Sequence, residues 1–246
     1  VSAAPERVPC PVCDGTGFEF LFERGGESFV RCHGCGLVMI NPRPRRERVK
    51  AIYDQHYSHG YIIKSQAKLR RARRWVDRIR RRYVPSGRWL DIGCSAGFVV
   101  KAATEAGFDA HGIDPEAAAI RYAREVLGLA NVACAKLEHC DYRNGTFDVI
   151  TLYDVIEHVD DLDALVERLR RLLHPAGVIE IRTPDVGHLR VPAALWRWNE
   201  IKPAEHLHYF SRATLARLLA RHGLEIVAQR RSLKPGLKVY VRHARA

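Results

Sequence analysis

At 246 residues, 47% of them apolar and 28% charged, the chain can bury one medium domain with something small beside it, which excludes a disordered protein. No apolar run approaches the roughly 18 residues of a membrane span and no N-terminal signal pattern is present, so a soluble, cytoplasmic protein is expected. Forty Lys and Arg against 28 Asp and Glu give a formal charge of +12, which invites a nucleic-acid or anionic-surface partner unless the charge is confined to one place.

Four of the seven cysteines are clustered at the start. Cys10-Pro-Val-Cys13 is followed, after eighteen intervening residues, by Cys32-His33-Gly34-Cys35. That is the spacing of two metal knuckles joined by a short hairpin. Phe18 to Phe22 and Ser28 to Val30 are the expected strands, turning at Gly25-Gly26. Four thiolates close a tetrahedral zinc site and leave no position for water, so the expected role of one Zn2+ is to fold a segment too small for its own core. His33 is a bystander in this geometry. A redox pair is disfavoured because the first CxxC does not open a helix.

Residues 42–88 then hold sixteen Lys or Arg against Glu47, Asp54 and Asp77, and everything else carries 24 basic and 25 acidic residues. The positive charge therefore belongs to one segment. Within it Ala72, Trp75, Val76, Ile79 and Tyr83 recur at helical spacing, which predicts an amphipathic helix over 65–83 with an arginine-covered outer face. That face is either simply solvated or binds anions.

From Arg88 onward strands and helices alternate. Arg88–Ile92, Ala110–Ile113, Val132–Ala135, Phe147–Leu152 and Val178–Arg182 read as strands, with helices from Gly97 to Glu105, Glu116 to Leu127 and Leu162 to Leu173 between them. A late helix over Ser211–His222 has a serine cap and stops before Gly223. Leu224–Ala228 and Leu237–Val241 form a closing antiparallel hairpin. The expected fold is α/β, a Rossmann-like, mostly parallel sheet with helices on both faces, preceded by a zinc-ribbon module. Three parts follow: 1–41, the module; 42–87, basic linker and lid helices; 88–246, the catalytic domain.

The chemistry falls at the C-terminal ends of the first strands, where open α/β sheets bind ligands. Asp91-Ile-Gly93-Cys94-Ser95-Ala96-Gly97 is a strand-to-helix turn in which Gly93 and Gly97 let the backbone approach a ligand. It is not the GxGxxG of a dinucleotide site. Asp114, at the end of His111-Gly-Ile-Asp114-Pro115, is placed to accept both hydroxyls of a ribose.

These motifs, LDIGCSAGF, GIDP, FDVITLYDVIEHV, LRRLLHPAGVIEIRTPD and EHLHYFSRATLARLLARHGLEI, resemble the class I S-adenosylmethionine-dependent methyltransferases over about Arg88 to Leu233. The GCSAG, DVIEHV and HLHYFS stretches are most similar to the branch with small-molecule, sugar and quinone enzymes. The resemblance implies S-adenosylmethionine as cofactor, its methionine part on Asp91, Gly93, Cys94 and Gly97 and its ribose on Asp114. Leu137 is implied for the adenine, and Asp154 faces cofactor or acceptor. Tyr53 to Tyr57, followed by Gly60-Tyr61, looks like a tyrosine-bearing lid, with Tyr57 on the cofactor. A zinc module ahead of this fold resembles deoxysugar C-methyltransferases and, more loosely, ribosomal-RNA guanine methyltransferases.

Methyl transfer is an in-line displacement, so an acceptor hydroxyl or activated carbon must lose a proton. The candidate bases are His158 after the fourth strand, and His206, His208 and Tyr209 after the fifth. Residues 185–205, with Trp196 and Trp198, are either acceptor cover or aromatics packed on the sheet edge. The leading expectation is a methyltransferase for a small metabolite, a sugar or secondary-metabolism intermediate rather than a quinone, because the acceptor region is not strongly apolar. If the acceptor is nucleotide-linked, the arginine segment has a use as a diphosphate clamp. The competing enzyme is an RNA methyltransferase gripping the phosphate backbone with the zinc module and arginine helix. Leu152-Tyr153-Asp154-Val155 stands where amino-directed nucleic-acid enzymes often carry Asn-Pro-Pro-Tyr. A non-catalytic zinc-ribbon binding module is the third alternative, disfavoured by the intact Gly93, Gly97 and Asp114. Acceptor atom and oligomeric state are not legible.

Overall fold

The computed structural model describes residues 6–44, 65–203 and 205–245. Tyr57 with its neighbours, and part of the arginine segment, lie outside the described residues. Two sheets organise the rest.

The first begins with the hairpin β1 (Phe18–Arg24) and β2 (Glu27–Cys32), turning through Gly25 and Gly26 at φ 61° and 76°. Such positive φ values cost glycine little. β3 (Val38–Ile40) pairs antiparallel with β2. The fourth strand is β9 (His208–Tyr209), which sets Tyr209 opposite Val38 and His208 opposite Met39. The N-terminal hairpin is thus continued by a strand from the other end of the chain. Neither β3 nor β9 has enough residues to show alternation, which is why the sequence does not announce them.

The second sheet has the strand order β10-β11-β8-β7-β4-β5-β6. β4 (Arg88–Ile92), β5 (Asp109–Asp114), β6 (Val132–Cys134), β7 (Phe147–Tyr153) and β8 (Leu173–Pro184) run parallel, and β11 (Gly236–His243) is antiparallel to both β8 and β10 (Leu224–Gln229). The order reverses between β4 and its neighbours β5 and β7, the point where such sheets open a crevice. β8 starts at Leu173, earlier than the expected Val178, despite Pro175 and Gly177. A Cβ on Gly177 would lie 2.9 Å from the Asp148 carbonyl oxygen, so the missing side chain lets the strand close on β7.

The helices are α1 (Ser65–Arg82), α2 (Phe98–Glu105), α3 (Ala117–Glu125), α4 (Leu162–Leu172) and α5 (Arg212–Arg221). α1 buries Ala72, Val76 and Ile79, spaced four and three residues apart, against the sheet and α2. Asp161 caps α4 by accepting from the Ala164 N–H, and Ser211 forms a capping box on α5. Trp89, Phe147, Ile150, Val178 and Ile179 are fully buried. At about 1.5–3 kcal/mol for each large apolar side chain, their burial is the main stabilising contribution here. Among the described residues no helix is long and apolar enough to cross a membrane.

Candidate active site

β4 leads into a turn that carries three positive φ angles, Gly93 (70°), Ser95 (47°) and Gly97 (78°), before α2 begins at Phe98. Neither glycine has room for a side chain. A Cβ on Gly93 would sit 2.4 Å from Val155 Cγ2, and one on Gly97 would sit 2.6 Å from Leu129 Cδ1. The Gly93 and Cys94 N–H groups both donate to the Ile113 carbonyl, at 2.9 and 3.0 Å. Asp114 fastens the other side, its Oδ2 accepting from the Ser95 N–H at 2.8 Å and its Oδ1 from the Glu116 N–H at 2.9 Å. The expected ribose acid therefore also shapes the turn.

Asp91 is buried beneath it. The Trp89 indole N–H donates to Thr151 Oγ1 at 3.0 Å, and the Thr151 hydroxyl donates to Asp91 Oδ1 at 2.6 Å. Burial pushes Asp91 up to about 7, against the opposing pull of that hydrogen bond and with further upward push from Asp114. Asp114 and Asp154 are raised by burial too. Asp91 and Asp114 act on each other at the ends of β4 and β5 and suit a cationic ligand such as a sulfonium, whereas Asp154, past β7, has Lys202, Arg182 and Lys238 in range. The Cys94 side chain packs in the apolar cluster with Trp89 and Val100, so only its backbone faces the turn's open side. Leu137 is buried on the short 3-10 turn after β6.

The acceptor side lies beyond β7. Asp154 (φ 57°) leads into a 3-10 turn, Ile156–His158, and the Leu207 N–H donates to the Glu157 carbonyl at 2.8 Å. That bond brings the two histidine-bearing segments together. Donor atoms of Glu157, His158 and His206 all lie within 4.8 Å of one another, with the imidazole rings 4.6 Å apart. Burial lowers His158 to about 4 and pushes Glu157 up to about 8. His206 is lowered further by burial and by His158. Both imidazoles are neutral near pH 7, the state in which a ring nitrogen can take a proton. His158 Nδ1–H donates to the Glu205 carbonyl at 2.8 Å, which leaves the lone pair on Nε2.

His208 and Tyr209 are placed elsewhere. His208 is fully buried in β9, where its Nε2 accepts from the Arg43 guanidinium at 3.0 Å, so that lone pair is already engaged. The Tyr209 hydroxyl accepts from the Lys202 N–H at 3.1 Å within the aromatic patch of Phe29 and Trp198. Trp198 is packed away with it. Trp196 stays half exposed over a surface cavity of about 690 Å³ lined by Phe22, Glu23, Arg24 and Arg197, none of them a predicted site residue.

Sequence reasoning missed Thr151, Arg43 and a buried cluster at the end of β8. There Tyr153 donates to Glu180, Arg182 pairs with Glu180 at 2.7 Å, and the Arg182 guanidinium lies between Trp75 (3.6 Å) and Tyr153 (4.0 Å). The signal was two charged letters, Glu180 and Arg182, at strand spacing inside an otherwise apolar run.

The four clustered cysteines come together as spaced. Cys10 Sγ lies 3.5 Å from Cys35 Sγ, and Cys13 Sγ the same distance from Cys32 Sγ. Tetrahedral Zn–S bonds of about 2.3 Å place sulfurs about 3.8 Å apart, close to these separations, whereas a disulfide needs about 2.0 Å. Burial pushes the Cys10 and Cys35 thiols up, while backbone N–H groups of Val12, Gly15 and Leu37 face the Cys10, Cys13 and Cys35 sulfurs and pull the other way. The donor set fits one zinc.

A methyltransferase-domain family profile matches residues 63–229. Ubiquinone biosynthesis O-methyltransferases of Rhodopseudomonas palustris strain HaA2 and of Nitrobacter winogradskyi are 32% and 31% identical over 145 and 152 residues, covering 50% and 58% of this chain. A third, from R. palustris strain BisB5, is 36% identical over 100 residues, 39% of this chain. The chain spans only 39%, 57% and 58% of the length of these three relatives. Among solved structures, the Burkholderia thailandensis 1,6-didemethyltoxoflavin-N1-methyltransferase, with 1,6-didemethyltoxoflavin and S-adenosylhomocysteine bound, shares the fold. Its TM-score is 0.63 at 16% identity, over 92% of this chain and 100% of that one. The cyclase SpnF shares it as well, with a TM-score of 0.57 at 17% identity over 71% of this chain and 82% of that one. Architecture therefore does not settle the reaction.

Proposed function

The chain belongs to the methyltransferase-domain family, and on that premise we propose that it transfers a methyl group from S-adenosylmethionine to a polar group of a small metabolite. The observation that carries this reading is the approach of Asp91 and Asp114 to a glycine turn with no room for side chains. S-adenosylmethionine, when bound, supplies an electrophilic methyl group on a sulfonium. Asp114 accepts the ribose hydroxyls with the lone pairs its two backbone contacts leave over. Asp91, held by Thr151, would offer a carboxylate to a cationic sulfonium, whose charge would favour the ionised form over the protonated one.

The acceptor lies over the ends of β7 and β8. Its surroundings are polar, with Asp154, Glu157, His158, Glu200, Lys202 and His206 in mutual range. That favours a sugar-like or other polar acceptor over a quinone with a greasy tail. A neutral His158 or His206 takes the proton as the acceptor oxygen attacks, so the new C–O bond forms while the C–S bond breaks. Zinc on Cys10, Cys13, Cys32 and Cys35 is structural in this reading, because four thiolates leave no open position.

Calorimetry with S-adenosylmethionine tests the cofactor. Asp114→Ala is expected to weaken binding about 30- to 100-fold, the loss of charge-assisted hydrogen bonds. Asp114→Asn, which keeps acceptor capacity for one backbone N–H, falls between. No heat with the wild-type protein overturns the reading.

A further inference from the structure

The face of the large sheet beneath α1 holds more hydrogen-bond donors than acceptors. β11 and β8 are in register there, with Lys238 opposite Arg182 and Tyr240 opposite Glu180. At period two, Lys238, Tyr240 and Arg242 share one face of β11. α1 brings Arg78 and Trp75 over that face, and Tyr83, just past its end, stacks on Tyr240 with centroids 4.4 Å apart. The Arg242 guanidinium lies 5.7 Å from the Tyr83 ring centre. Glu180 is the acid in this group, and its carboxylate is already taken by Arg182 and Tyr153.

Three buried donor atoms on these residues have no partner among the described residues: Arg78 Nη1, the Tyr240 hydroxyl and Arg242 Nε. Tyr240 is only 3% exposed. Buried polar groups are nearly always satisfied, so unmet donors from three cooperating positions call for acceptor oxygens. Lys238 is also burdened, its pKa lowered by burial and by the charges of Arg182, Arg230 and Arg78. An anion among them relieves that repulsion. Guanidinium forks flanked by a phenol and an ammonium suit the oxygens of a phosphate better than the single plane of a carboxylate.

We propose that Arg78, Lys238, Tyr240 and Arg242 form a binding site for the phosphate group of a phosphate ester, and that this group belongs to the methyl acceptor. The second half rests on the function proposed above. The Lys238 end of the cluster adjoins the acceptor end, where the Asp154 N–H donates to the Arg182 carbonyl at 2.9 Å and the Arg182 and Lys238 charges both reach Asp154, while Tyr240 and Arg242 follow along β11 toward the other end of β8. A phosphorylated substrate can thus lay its anion along β11 and its reacting group near His158. The arginine-rich helix acquires a specific task in this arrangement, through Arg78 on its half-buried side rather than through the exposed arginines.

The test is calorimetric titration of the full chain with inorganic pyrophosphate, with citrate as the carboxylate control. Pyrophosphate should bind more tightly than citrate, and Tyr240→Phe and Arg242→Gln should each lower its affinity roughly tenfold. Tyr240→Phe keeps the stacked ring, and unchanged thermal melting shows that the fold survives. S-adenosylmethionine binding should be the same in both variants. Pyrophosphate binding that is absent, matched by citrate, or unaltered in both variants overturns the site. Pyrophosphate binding without any S-adenosylmethionine binding leaves the site standing and sinks the enzymatic reading it was joined to.

Discussion

The seven-stranded sheet buries Trp89, Phe147, Ile150 and Val178 between helical layers, whereas the four-stranded sheet has a patch of Phe29, Val38, Ile40, Trp198, Ile201 and Tyr209 at one end and four sulfurs near the other. One region is held by area removed from water. The other borrows that core through Val12, Val30, Leu37 and Met39, adds little apolar surface of its own, and brings in bonds that a few atoms can make. The difference predicts that damage to the two regions will look unlike: graded in the first, all-or-none in the second.

The sharpest way to break the contrast is at the sulfurs. Cys32→Ser with Cys35→Ser, or removal of the metal by a chelator, should abolish hydrogen-exchange protection in β1, β2 and β3. Structural zinc is worth about 10–16 kcal/mol in small peptides, more than the apolar contacts of so small a sheet are expected to replace. β4, β7 and β8 should stay protected. Protection that persists in the metal-free small sheet would mean that its apolar patch suffices.

A smaller effect is expected at Gly97. Alanine at φ 78° costs about 1–3 kcal/mol in backbone strain alone, and its Cβ meets Leu129 and Ala123. At this chain length each kcal/mol lowers Tm by about 2–4 °C, so a graded fall of several degrees should appear in thermal melting.

Asp91 offers a subtler probe of the same region. Its folded pKa, about 7, is above the ordinary carboxylate value, so the folded state holds its proton where the unfolded chain has lost it. Stability of the cofactor-free protein should therefore fall as pH rises from about 4 to about 7. Asp91→Asn should flatten that slope in denaturant titrations, and an unchanged slope would remove Asp91 from the account. Least of all should happen at Asp77, whose carboxylate accepts from Arg80 and Arg81 in full solvent. Asp77→Asn should leave the melting curve superimposable, because exposed helix pairs contribute little.

How legible each region was in the sequence follows the same division. α1 shows itself through the spacing of Ala72, Val76 and Ile79, and the parallel strands through their apolar runs. The cysteine spacing alone predicts that four sulfurs come together, as they do. What stays hidden is whatever depends on partners distant in the chain. β9 is two residues long and becomes a strand only because β3 waits for it. Cys94 reads as a cofactor contact, yet its side chain packs in the core, since a strand-to-helix turn does not declare which of its side chains face inward. His208 looks like a base until Arg43, 165 positions away, is seen on its ring nitrogen. The donor-rich face on β11 is legible only as alternate letters, Lys238, Tyr240 and Arg242, whose meaning requires α1 above them.

The pairing of Val38 with Tyr209 also orders events during synthesis. The β1–β2 hairpin and its cysteines are complete once Cys35 has left the ribosome. The strand that finishes their sheet emerges about ten to thirty seconds later, at about 5–20 residues per second. Through that interval the hairpin exposes the unpaired edge of β3 and the apolar surface of Phe29 and Ile40. A hairpin made early is thus among the last parts to be covered.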